Sequence, residues 1–385
     1  MNNRSLELKN ILNTEKCFKM ICGAGNEDKE QVKKLAYIYT LAGAKILDVS
    51  ANVDVVKSAK DGIDLALRKS RQFDLDVGLI PYIMVSVGMP GDNHVRKSYI
   101  DPNTCISCGL CAPVCPTEAI PFDFHKKIDF FKSLGGSYDK EEQDKEIVHK
   151  DLCIGCGKCS NICPRDDIIS YRHNGRELRK LLPQCLDAGA ECFELHAAVA
   201  DDEIILKEWE TIVELNPNNF NSMCLDRLHL GNFNLENRIE KVREISNDKL
   251  IIQADGYPMS GGQDDFNTTL QAVSCADVIN KKFNMFQNKK RKDNKIESRM
   301  IYRKISDKKL IPIILSGGTN SNSKRLSNMS GVRVNGVAIG TYARKIVEEY
   351  ISHPEFYKDE RIVLSAYSVA ESLVQSNIGE IYDKR

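Results

Sequence analysis

A chain of 385 residues with 54 basic and 54 acidic side chains carries no formal net charge, which argues against a nucleic-acid or membrane-surface binder driven by a global field. Its 42% hydrophobic and 28% charged content is that of a globular protein, large enough for one barrel or two domains. Residues 1–20 lack the apolar run of a signal peptide, and the longest apolar stretch, 77–89, is broken by Pro81 and too short to cross a bilayer. These features predict a cytoplasmic protein without a transmembrane segment, in a reducing compartment where cysteines are free to bind iron.

In chain order, apolar runs at 18–23, 45–50 and 82–87 read as buried parallel strands, with helical patterns at 27–42 and 54–70 between them. Gly43 follows the first helix and Asp54 can cap the second. A cysteine-rich block then occupies about 88–173. The alternation resumes with strands at 192–197, 222–226, 250–254, 312–316 and 336–340, and helices at 176–188, 201–214, 235–246 and 267–281. Eight strands alternating with helices predict an α/β fold, a (β/α)8 TIM-type barrel, with an open doubly wound sheet as the alternative. The expected division is barrel at 10–88, insertion at 89–173, barrel again at 174–350 and a helical extension at 351–385. Within the extension, 361–378 has an amphipathic pattern suited to a final helix on the barrel.

Inside the insertion, eight of the fourteen cysteines form two identical runs. They are Cys105-x-x-Cys108-x-x-Cys111-x-x-x-Cys115-Pro116 and Cys153-x-x-Cys156-x-x-Cys159-x-x-x-Cys163-Pro164. This is the ligand spacing of a two-cluster ferredoxin, in which the fourth cysteine of each run crosses to the other cluster. One [4Fe–4S] cluster is expected on Cys105, Cys108, Cys111 and Cys163, and a second on Cys153, Cys156, Cys159 and Cys115. Gly109, Gly155 and Gly157 let each loop wrap so that its N–H groups face the sulfurs, and each proline fixes the exit. Structural zinc prefers pairs of Cys-x-x-Cys with four ligands per site, and two full runs ending in Cys-Pro speak against it. The other six, Cys17, Cys22, Cys185, Cys192, Cys224 and Cys275, read as small buried apolar residues, with Cys22 also placed to face a barrel mouth. An insertion after the third strand emerges at the carboxyl end of the barrel, where barrel enzymes hold their substrates.

Between the runs, Phe124, Ile128, Phe130 and Phe131 are suited to packing beside a cluster or on the barrel, and 140–145 reads as a solvated loop. The segment 289–309, with ten Lys or Arg against three acids, reads as a solvated and partly disordered loop, or a docking patch for an acidic partner. Near the end, Gly317-Gly318-Thr319 and Gly340-Thr341 follow strands, as phosphate-cradling loops of barrels do. With Asp255, which follows the sixth strand, they form a candidate site for the flavin FMN; tight strand-to-helix turns explain the same glycines. Asp48, Ser86, Glu194, His196 and Asp226 are further polar residues expected near the mouth, and a redox partner or quinone is a candidate for what the clusters serve there.

Several segments carry a resemblance. Phe18-Lys19-Met20-Ile21-Cys22-Gly23-Ala24, Asp255-Gly256-Tyr257-Pro258-Met259-Ser260-Gly261, Ser316-Gly317-Gly318-Thr319-Asn320 and Gly340-Thr341-Tyr342-Ala343-Arg344 resemble the light-dependent period protein family of cyanobacteria, over about residues 10–350. The resemblance implies an iron–sulfur protein that relays cellular redox state, set by photosynthetic electron flow, to the circadian clock. It implies clock-input partners, including a histidine kinase, and the eight cysteines as cluster ligands. It transfers no catalytic residues. The competing expectation is an iron–sulfur oxidoreductase that passes electrons to FMN or a small substrate at the barrel mouth.

Overall fold

The computed structural model describes residues 3–88, 97–133, 147–150, 152–153, 155–172, 178–197, 202–247, 249–256, 266–292, 295–302 and 310–379. The chain opens with α1 (Asn3–Asn13), β1 (Cys17–Gly23), α2 (Lys29–Leu41), β2 (Ile46–Ser50), α3 (Val53–Ser70) and β3 (Tyr82–Gly88). The insertion contributes β4 (Lys97–Ile100), α4 (Phe124–Ser133), α5 (Lys158–Ile162) and β5 (Ile169–Arg172). The alternation resumes through α6 (Leu178–Ala188), β6 (Cys192–His196), α7 (Asp202–Leu215), β7 (Asn221–Asp226), α8 (Arg227–Ile245), β8 (Leu250–Asp255) and α9 (Phe266–Ile279). A π-helical turn, Asn280–Asn284, leads into β9 (Met285–Lys292) and β10 (Lys295–Tyr302). The last elements are β11 (Ile313–Ser316), α10 (Ser323–Met329), β12 (Gly336–Ile339), α11 (Thr341–Ile351) and α12 (Glu360–Ile378).

Strands β1, β2, β3, β6, β7, β8, β11 and β12 pair in that order, all parallel, and β12 closes on β1. This is the closed (β/α)8 barrel, and the doubly wound alternative falls away. Two-residue alternation splits each strand between two faces. Phe18, Leu47, Val85, Phe193, Met223 and Ile252 join the core shared with the helices. Their neighbours Ile46, Met84, Cys192, Ile251, Ile314 and Ala338 form a separate core with Leu8, Ile11 and Leu12 of α1. Helix α1 thus plugs the amino-terminal end of the barrel, although sequence patterning began the barrel only at residue 10.

The insertion has its own core. Ile100, Ile120, Phe124, Ile128, Val148, Ile168 and Ile169 pack with four of the run cysteines. Ile120 and Ile168 each lie five residues after the fourth cysteine of their run, so the repeat in sequence recurs in the packing. Antiparallel pairing of β4 with β5, from Lys97↔Arg172 to Ile100↔Ile169, ties the ends of the insertion together.

The expectation of a solvated loop at 289–309 is corrected in its first half. Met285–Lys292 and Lys295–Tyr302 form an antiparallel pair with register Met285↔Tyr302 to Lys292↔Lys295, while 293–294 and 303–309 lie outside the described residues. Cross-strand backbone bonds hold two strands together even where many of the side chains are basic. Helix α8 begins eight residues before the pattern at 235–246 because Gly231, at φ 67°, kinks it and masks its first turns. Residues 140–145 and the Tyr257–Gly262 part of the loop after β8 lie outside the described residues.

Candidate metal centre

The geometry of the two cysteine runs follows from their local backbone. Ser107, Gly109, Gly155 and Gly157 all have φ between 56° and 83°, the left-handed region that lets a short loop curl around a point. That curl turns backbone donors towards sulfur: Ser107 N–H lies 3.5 Å from Cys105 Sγ, and Ser98 N–H on β4 donates to Cys153 Sγ at 3.3 Å. The Ser98 hydroxyl adds a 3.2 Å contact to Cys159 Sγ. Helix α5 carries Cys159 and ends at Cys163, whose N–H bonds back to Cys159 O. Among the described residues, no three His, Cys, Asp or Glu side chains close on a single metal-ion position.

The structure brings the runs together. A small cavity, ≈ 20 Å³ in volume, is lined by Cys153, Cys156 and Cys159 of the second run and by Cys115 of the first. Those are the four thiols expected to share a cluster, though Cys115 is 38 residues before Cys153 in the chain. Cys111 interacts electrostatically with Cys105 and Cys108 of its own run and with Cys159 of the other. Cys163 is half-buried after α5. Burial raises two of the bare thiols, with Cys111 pushed up to about 12 and Cys159 in the same direction. Such thiols are inert to ordinary chemistry and become thiolates when a bound cation offsets the charge. Donor type, loop curl, N–H groups aimed at sulfur and a shared cavity all fit a [4Fe–4S] cubane. When bound, such clusters supply one-electron transfer.

Lys97 anchors this module on the barrel. Its buried ammonium donates to Cys153 O at 2.8 Å and to Gly25 O in the loop after β1. Phe124 and Ile128 pack with the cysteines, as expected of the spacer; the side chains of Phe130 and Phe131 lie outside the described ones.

In the barrel interior, Asp48, Ser86, Glu194 and His196, expected near the mouth, gather around a lysine that sequence reasoning missed. Lys19, fully buried on β1, places Nζ 2.8 Å from Asp48 Oδ2, 2.6 Å from Glu194 Oε2 and 2.8 Å from Gln253 Oε1. Ser86 donates to Asp48 and Ser222 to Glu194, while His196 Nε2 lies 3.4 Å from Glu194 Oε1. Burial raises the Asp48 carboxyl in spite of Lys19, and the paired carboxylates raise Lys19 against its own burial. A lone lysine in the apolar run Phe18-Lys19-Met20 was the available signal. Its acids, in β2 and β6, become partners only once the barrel closes.

The loops assigned to FMN have other occupants. A Cβ on Gly317, at φ +68°, would lie 1.6 Å from Asp255 Oδ1, so that carboxylate fills the space over the glycine turn. Thr319 is buried with its hydroxyl on Ala338 O. Gly340 and Thr341 begin α11, with Arg344 N–H on Gly340 O. A phosphate approaching Gly317 and Gly318 would meet Asp255, and the geometry gives FMN no support. Asp226 caps α8 by accepting from His229 N–H at 2.7 Å. The six cysteines outside the runs are all buried, Cys22 included.

Models of the 4Fe-4S dicluster domain match residues 104–167 and 145–195. The chain is therefore an iron–sulfur protein, with a ferredoxin-type domain of the two-[4Fe–4S] kind inserted in a closed parallel barrel. It is similar to Light dependent period A of Synechococcus elongatus, 36% identical over 105 residues, or 27% of this chain and 28% of that protein. A ferredoxin of Streptomyces griseus is 42% identical over 50 residues, 10% of this chain and 48% of the ferredoxin. The chain thus spans less than half the length of either relative. Among solved structures, the YdjI aldolase from Escherichia coli K12 overlays with a TM-score of 0.42 at 7% identity, covering 97% of this chain and 94% of that one. No helix of the described residues is long and apolar enough to cross a membrane.

Proposed function

We propose that this protein is a redox sensor: it holds two [4Fe–4S] clusters and relays the state of cellular, photosynthetic electron flow to a signalling partner such as a clock-input histidine kinase. The observation that carries the reading is the cavity shared by Cys115 with Cys153, Cys156 and Cys159. In this reading those four hold one cluster, and Cys105, Cys108, Cys111 and Cys163 hold the other. The similarity to Light dependent period A supports a redox-related role, and the choice of partner rests on the family resemblance alone. Exposed Cys108 is flanked in sequence by Ile106 and Leu110, which are 49% and 48% exposed. Apolar side chains left in water beside a candidate electron port suit a docking protein. The test is anaerobic purification with iron and sulfide analysis and EPR with and without dithionite. Capture of the kinase by the oxidised and the reduced protein follows. Absence of cluster signals, or kinase binding that ignores oxidation state, overturns the reading.

A second reading is an oxidoreductase that passes electrons to a small substrate or a quinone at the barrel mouth. The buried Lys19, Asp48 and Glu194 group with His196 beside it favours this, because charged groups inside a barrel are the raw material of acid–base chemistry. Catalytic turnover of a quinone by the dithionite-reduced protein decides for it.

A further inference from the structure

A second cavity, of about 640 Å³, opens where the module meets the barrel and has no part in the redox reading above. Its barrel wall includes Asn26, Gln31 and Arg344, and its module wall runs from Pro116 to Phe122 with His149 and Leu152. The volume lies in the range of small-molecule sites.

Arg344 is the unusual member. Its Nε is closed to solvent and has no hydrogen-bond partner, and Nη1 makes only a 3.5 Å contact with Cys22 O. Among the described residues it makes no ion pair, and Glu348, one turn on, acts on it only as a nearby charge. Burial pulls the guanidinium below its usual range, with Cys22 and Glu348 opposing weakly. The chain nevertheless makes room for it: a Cβ on Gly23, at φ +123°, would lie 3.1 Å from Nη1. A half-buried guanidinium whose Nε is shut off from water and unbonded is costly, and a guanidinium fork matches a carboxylate. Gln31 spends its carbonyl on Asn26, at 2.7 Å, so only its NH2 is left to offer beside Arg344.

The rest of the lining selects the ligand. Asp28, Glu118 and Glu348 would repel a doubly charged phosphate, whereas one negative charge at Arg344 is compensated. Pro116, Ile120, Pro121, Phe122 and Leu152 present apolar surface, and Phe122 is 67% exposed at the rim. We infer that this cavity binds an amphipathic monocarboxylate, with its head on Arg344 and Gln31 and its apolar body across the Pro116–Phe122 wall. Thr117 and Ile120 line both this cavity and the one containing Cys115, so the ligand would sit one side chain from those thiols.

The test is calorimetric titration of the full, anaerobically purified chain with decanoate below its micellar concentration, and with inorganic phosphate in parallel. Decanoate is expected to saturate one site per chain. Arg344→Gln should weaken it roughly 10- to 100-fold, as loss of a charged hydrogen-bond partner does, and Arg344→Lys should weaken it less. Phe122→Ala should weaken it several-fold by removing apolar cover. Absence of saturable binding, or unchanged affinity in Arg344→Gln, overturns the site. Phosphate binding as tight as decanoate overturns the choice of ligand, and an unaffected Phe122→Ala overturns the placement of its body.

Discussion

Ser98 gives the most direct measure of the cluster assignment. It sits on β4, buried, with its N–H on Cys153 Sγ at 3.3 Å and its hydroxyl 3.2 Å from Cys159 Sγ. Ser98→Ala keeps the backbone bond and removes only the hydroxyl. With a thiolate at Cys159 the hydroxyl must be the donor, and it bonds more strongly to the reduced, more negative centre. A hydrogen bond to a charged group is worth about 1.5–3 kcal/mol, but the added electron is shared among several sulfurs, so about a third of that differs between oxidation states. About 0.5–1 kcal/mol corresponds to roughly 20–45 mV for one electron, and the sign is a lower potential in the variant. An EPR-monitored titration of wild type, Ser98→Ala and Ser98→Thr reads this directly. A potential that stays put or rises in Ser98→Ala, with clusters intact, refutes the argument that Ser98 faces a cluster.

Further predictions concern the ligands and the barrel. Cys108→Ser and Cys156→Ser should each lower iron and sulfide content; undiminished content in either removes that residue from the ligand set. Lys19→Met leaves Asp48 and Glu194 buried without their cation and should cost about 3–5 kcal/mol in thermal or denaturant unfolding. Asp48 is raised by burial already, and losing Lys19 raises it further. A raised carboxyl contributes stability below its unfolded pKa of about 3.9 and loses it as pH climbs through the folded value. The deficit of Lys19→Met should therefore shrink on going from about pH 8 to about pH 5; a deficit that grows on acidification contradicts the assignment. Gly317→Ala should destabilise far more than Gly331→Ala. Both glycines have positive φ, but only Gly317 has a carboxylate where the Cβ would go, so Gly331→Ala should show just the left-handed strain of about 1–2 kcal/mol in the same melts.

The eight barrel strands were legible because parallel strands covered on both faces leave largely apolar runs such as the Ile-Ile-Leu that opens Ile313–Ser316. The cysteine runs were legible because cluster geometry dictates their spacing. Features held together by tertiary structure were not. Helix α1 scatters Asn, Arg, Ser, Glu and Lys among its apolar residues, and its Leu8, Ile11 and Leu12 acquire meaning only beneath a closed barrel. Lys19 and Glu194 are 175 residues apart, and no local pattern announces their contact. The basic segment hid a strand pair because charge suggests solvent, while backbone pairing is indifferent to it. Gly317 and Gly318 suggested an anion cradle, yet Asp255 takes the space.

The pairing of β4 with β5 has a consequence for how the two parts coexist. Because Lys97 lies opposite Arg172, the excursion leaves and rejoins the barrel at neighbouring points, and the barrel needs to span only a short gap whatever lies beyond it. Closing such a gap costs little more for a long excursion than for a short loop. The cluster unit behaves as a cartridge: its metal can be gained, lost or damaged by oxygen while the strands on either side stay in register. A cell that strips iron from this protein would be left with an intact barrel awaiting a new load, rather than an unfolded chain.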